Sequence, residues 1–122
     1  MFTHIMVGTN DVEKARKFYD ASLGALGVPA AHPGERLFYS HDGGALGIGK
    51  PENGESACFA NGGTIGFRAK DQAQVDAFHA AGLANGGSDA GAPGIRPNAP
   101  GKSYGAYLRD PDGNKICSFC QL

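Results

Sequence analysis

Apolar residues recur along this chain in two rhythms. Over residues 4–8 (HIMVG) they alternate with other positions, which predicts a short strand. From Val12 they return at helical spacing through Ala15, Phe18 and Tyr19, which predicts a helix. Asn10-x-x-Glu13 has the spacing of a capping box at that helix's start. The same order comes back 60 residues later. Thr3 to Val7 aligns with Gly63 to Phe67, Asp11 with Asp71, Phe18 with Phe78 and Leu23 with Leu83. Asp71-x-x-Gln74 again supplies a helix start, and Val75, Phe78 and Ala81 the apolar stripe.

A second echo, at an offset of 70, joins residues 36–48 to 106–118 through Asp42-Gly43 and Asp112-Gly113. Each copy predicts a strand, a tight turn and a strand. Further strands are expected at about 25–31 and near 85–92. The chain therefore divides into two like modules, about 1–55 and about 60–122, within one domain spanning 1–122. Residues 51–62 join them. Each half is too small to bury an adequate core alone, so the two should pack together. The glycine- and proline-rich stretch 85–103 is the natural lid segment.

Because strand side chains alternate, parity assigns faces. Ile5 and Val7, like Ile65 and Phe67, belong under the helices, leaving His4, Met6, Thr64, Gly66 and Arg68 opposite. A four-residue turn at 110–113 would pair Arg109 with Asn114 and Ala106 with Cys117. On that count Tyr104, Cys117 and Phe119 join the second face. In the first half Arg36 and Phe38 join it, beside Gly47 and Gly49. The expected pocket is thus His4, Arg36, Phe38, Thr64, Arg68, Tyr104, Cys117 and Phe119, a mixture of aromatic, small and polar groups suited to a small-molecule site.

Composition narrows the partners. The chain has 122 residues, 20 of them Gly and 7 Pro, which argues against a helical bundle. Its formal charge is −1, with no Lys/Arg run to track nucleic-acid phosphates. No apolar stretch approaches the roughly 18 residues of a membrane span. The N-terminus lacks the features of a secretion signal, and the three cysteines fit a reduced, cytoplasmic setting. Cys117 and Cys120 form a C-x-x-C, but on a strand they point to opposite faces. Cys117 near His4 would be a candidate thiolate–imidazole pair. Asp110 and Asp112 read as turn residues.

The helix DVEKARKFYDASLG, the strand bearing His4 and the closing YGAYLRDPDGNKIC resemble the vicinal oxygen chelate superfamily of glyoxalase, bleomycin-resistance and dioxygenase proteins. The resemblance covers about residues 3–121. It implies an α+β fold of two βαβββ modules in a curved, mostly antiparallel eight-stranded sheet with helices outside; family members pair such modules within one chain or across a dimer, and a homodimer is expected. It also implies four metal-ligand positions. His4 matches the first, while Gly47, Thr64 and Cys117 stand at the other three and depart from the family's His and Glu. The expected function is therefore binding of a small organic molecule without a full metal site and with no cofactor. Two alternatives stay open: a metal-dependent lyase or isomerase of the lactoylglutathione lyase type, and a metal-free enzyme using His4 as acid or base.

Overall fold

The computed structural model describes residues 1–99 and 101–122. Strand β1 (His4–Gly8) leads into helix α1 (Val12–Gly24), followed by a hairpin of β2 (Leu37–His41) and β3 (Gly44–Gly49). Strand β4 (Ile65–Arg68) and helix α2 (Gln72–Ala84) repeat that beginning, and β5 (Ser88–Arg96), β6 (Ser103–Arg109) and β7 (Lys115–Gln121) complete the second module. The first sheet has the order β1-β3-β2 and the second β4-β7-β6-β5. In each module the leading strand lies parallel to the last one, and the hairpins are antiparallel.

The expected α+β architecture is present, with two differences. Among the described residues there are seven strands in two sheets, not eight in one. The missing strand is the one expected at about 25–31. After α1 the chain turns at Gly27 (φ 87°), and the Val28 amide donates back to Leu23 O. The loop's polar groups are then met by α1 side chains. The Asp20 carboxylate accepts from the Ala31 amide, and the Arg16 guanidinium donates to His32 O and Gly34 O. Backbone groups satisfied this way have no need of a ladder. In the second module the equivalent segment does form a strand, so β5 takes up the middle of the expected lid at 85–103, interrupted by register shifts between Asp89 and Gly94. Pro100, also in that stretch, lies outside the described residues.

Both helices start on an aspartate. Asp11 accepts from the Lys14 amide and Asp71 from the Gln74 amide, at 3.1 and 2.9 Å. The first cap is therefore Asp11 and not Asn10. Asn10 instead ties down the joining segment, its side chain accepting from the Ala57 amide at 2.7 Å and donating to Ala57 O at 3.2 Å. One core holds the modules together, with Phe18, Tyr19, Leu37, Ile48, Phe78, Leu108 and Ile116 all fully buried. Side chains of this size each contribute roughly 1.5–3 kcal/mol by leaving water. Helices α1 and α2 pack against each other, and α2 covers β5, β6 and β7.

Candidate functional site

The two hairpins close differently, and this decides which side chains share a face. In the first, His41 pairs with Gly44 across Asp42-Gly43, both at positive φ (49° and 82°). Met6, Phe38 and Gly47 then stand side by side on the surface turned away from the helices, as parity predicts. His4 is in line with them, and Arg36 lies across Gly49, its Cγ 3.2 Å from where a Cβ would stand.

In the second hairpin Arg109 pairs with Lys115, so five residues turn where four were expected. The additional residue is Asn114. Its amide donates to Asp110 Oδ1, and its Nδ2 to both Asp110 Oδ2 and Gly8 O, at 2.9–3.0 Å. Held on both sides, it cannot extend β7 downward. The shift of one residue moves β6 to the opposite parity. Tyr104, Ala106 and Leu108 therefore face the helices. Tyr104 donates to Asp76 of α2 at 2.6 Å, which raises the pKa of its phenol. Tyr107 takes its place in the site, opposite Cys117, and Gly105 lies opposite Phe119.

The site face of the second sheet thus gathers Arg68, Tyr107, Cys117 and Phe119. Tyr107 and Phe119 meet edge to face, with centroids 5.6 Å apart. The Phe119 ring occupies the space that a Cβ at Gly105 would need. Two cations flank Tyr107: Arg96 from β5 at 5.6 Å and Lys115 from β7 at 4.9 Å from the ring centroid. Arg96, Tyr107 and Lys115 were not foreseen. The signal for them is the D-P-D-G-N run itself, whose final Asn can join the turn.

Thr64 is exposed just ahead of β4, beside this face. His4 is exposed on the other sheet, its Nδ1 2.9 Å from Thr3 Oγ1. His4 and Cys117 lie in separate sheets, and no hydrogen bond among the described residues joins them. Burial pushes the Cys117 thiol up to about 11, partly opposed by Lys115. At pH 8 only about one thiol in a thousand is then ionised, which removes the thiolate–imidazole pair. Cys120 points to the core side, as alternation requires. A disulfide-exchange reagent at pH 8 is expected to titrate Cys58 rapidly and Cys117 and Cys120 only after denaturation. A burst of three thiols from the native protein would contradict the burial.

The donor set does not suit a metal ion. Among the described residues no group of three or more His, Cys, Asp or Glu side chains comes together. At Gly47 the Met6 thioether and the Phe38 ring occupy the space where a side chain would begin, and glycine itself offers no ligand. Of the four family positions only His4 and Cys117 carry an imidazole or thiol donor, and the two lie in separate sheets.

Paired strand–helix–hairpin modules, each turning one sheet face away from its helix, define the fold, and the chemistry is set by the side chains on that face. The chain belongs to the Glyoxalase/Bleomycin resistance protein/Dioxygenase superfamily, whose model matches residues 1–118. It is 54% identical to a glyoxalase/bleomycin resistance protein from Albidiferax ferrireducens, with a TM-score of 0.93 and 98% of each chain covered. A lactoylglutathione lyase from Agrobacterium tumefaciens is 25% identical, with a TM-score of 0.66, covering 98% of this chain and 92% of its own. A glyoxalase-related enzyme from Fulvimarina pelagi shares the fold at 20% identity, with a TM-score of 0.77, covering 98% of this chain and 86% of its own. No curated protein matches the chain. No helix among the described residues is long and apolar enough to cross a membrane.

Proposed function

We propose that the protein binds a small organic molecule on the site faces of its sheets, without a resident metal, as a cytoplasmic homodimer. The observation that carries this reading is the face of the second sheet, where Phe119 stands over Gly105 and meets Tyr107 edge to face, with a cation on each side of Tyr107. Flat rings on a glycine floor offer contact area at little entropic cost. The donor set argues for metal-free binding over lyase chemistry of the kind named for the Agrobacterium relative. A second copy is supported by the open edges of β1 and β4. Each is paired on one side only, and the two flank an apolar groove of about 480 Å³ lined by Ile5, Leu26, Ile65 and Phe67. Unpaired edges with apolar flanks favour association. Pairing β1 of one copy with β4 of another would set the His4 face beside the Tyr107 face. The three free thiols fit a reducing compartment.

The test is elemental analysis of the purified protein before and after a chelator wash, together with thermal shift across a metabolite panel and light scattering for mass. Substoichiometric metal, a ligand-dependent rise in Tm and a dimer mass are expected. His4→Ala should leave metal content unchanged and stability within about 0.5 kcal/mol, because the side chain is exposed. Near-stoichiometric metal that is lost in His4→Ala would restore the lyase reading.

A further inference from the structure

The second sheet sorts its charges by face. On the side turned away from the helices, β4 to β7 carry Arg68, Arg96, Arg109 and Lys115 and no Asp or Glu. Two carboxylates of the second module are engaged on the helix side, Asp76 by Tyr104 and Asp89 by His79 at 2.8 Å. Asp89 also accepts from the Gly91 amide at 3.0 Å, and it acts on Arg96 through space without forming an ion pair. None of the ion pairs among the described residues uses any of the four cations.

Arg109 has an evident local role. It donates to Gly113 O at 2.8 Å and lies over the Phe59 ring at 5.2 Å. Arg96 and Lys115 differ, because two like charges have been brought to one aromatic ring. Arg96 is fixed there by its backbone surroundings. Its Nη2 donates to Ala92 O at 2.6 Å, and Cβ atoms at Gly91 and Gly94 would stand 3.1 and 3.2 Å from its nitrogens. Any side chain at either glycine would press on the guanidinium. Ring quadrupole attraction accounts for each cation singly. It leaves both cations, one on either side of β6, without an ion-paired carboxylate among the described residues. An anion is the missing third partner, and the adjacent Phe119 ring offers an apolar surface to whatever carries it.

We propose that this face selects a planar organic anion, its acid group held by Arg96 and Lys115 and its ring against Phe119. The proposal rests on the small-molecule reading above and names the ligand's chemical class. Carboxylate and phosphate share the chemistry that a guanidinium fork and an ammonium recognise.

Titration of the 15N-labelled protein with benzoate, phenyl phosphate and the neutral benzamide tests it. Saturable shifts are expected in amides of β5, β6 and β7 with both anions, and benzamide should bind at least about tenfold more weakly. The ratio of benzoate to phenyl phosphate affinity decides between the acid groups. Arg96→Gln and Lys115→Gln should each weaken anion binding about tenfold while preserving the dispersed spectrum of a folded chain. Equal binding of benzoate and benzamide, or anion affinity unchanged in both variants, overturns the anion assignment and leaves the small-molecule reading standing. Absence of shifts on this face with all three probes also overturns it. The broader reading falls only if the metabolite panel gives no thermal shift as well.

Discussion

Replacing Asp110 with alanine is expected to lower the unfolding free energy by about 3–5 kcal/mol, enough to threaten folding of a domain this size. The Asp110 side chain is buried, and four donors converge on it. Tyr19 Oη donates at 2.6 Å and Asn114 Nδ2 at 2.9 Å to one oxygen, while the amides of Asp112 and Asn114 donate at 2.9 Å to the other. Burial raises the carboxyl pKa and the donors only partly oppose it, whereas the Tyr19 hydroxyl is pushed far above its usual range. Removing the acceptor orphans a fully buried phenol and two turn amides, each costing about 1–3 kcal/mol when left unmet. Tyr19→Phe deletes a single donor and should cost only about 1 kcal/mol. Denaturant unfolding of the three proteins separates these values. A loss below 1 kcal/mol for Asp110→Ala would mean that the turn is held by its backbone alone.

The second large effect concerns Phe18, whose ring is seated by two glycines of the other module. A Cβ at Gly87 would fall on the ring and within 2.9 Å of Gly82 O; one at Gly82 would lie 3.1 Å from the ring and press on Leu108. Phe18→Ala should cost about 3–5 kcal/mol through the lost ring and the cavity it leaves. Gly87→Ala should cost about 1–3 kcal/mol by overpacking. The two changes are predicted not to add. In the Phe18→Ala background the Gly87 methyl no longer meets the ring and keeps only its close approach to Gly82 O, so its cost should fall, a coupling of about 1 kcal/mol. Additive losses in denaturant melts would show that Gly87 is constrained by its own backbone and not by the ring.

Much of this was readable from the chain. The repeat at offset 60 located both helices, both leading strands and the face of each, because apolar alternation and helical spacing are local properties. The first hairpin was placed correctly for the same reason, since Asp42-Gly43 closes it without outside help. The second hairpin was not. Asn114 joins the turn because Gly8 O and Asp110, one in the other module, claim its side chain. That partner is 106 residues away, so no local pattern shows it. One residue of slip exchanged Tyr104 for Tyr107 and hid the Arg96–Tyr107–Lys115 cluster. The strand expected at 25–31 was lost similarly, to carboxylate and guanidinium groups of α1 that meet the loop's amides and carbonyls. His4, Arg36, Phe38, Arg68, Cys117 and Phe119 keep their expected faces, divided between two sheets.

The closing turn also bears on the chain's two-fold build. Its Asp112 side chain reaches into the first module, accepting from Thr9 Oγ1 at 2.5 Å and from the Asn10 amide at 2.8 Å, just where β1 hands over to α1. A fragment ending in the joining segment would begin its helix without that support and would expose Phe18 and the Tyr19 hydroxyl. A fragment starting there would carry a turn with nothing to grip. Each half depends on the other at this contact: cut apart, they should recover structure only when mixed, as complementing fragments.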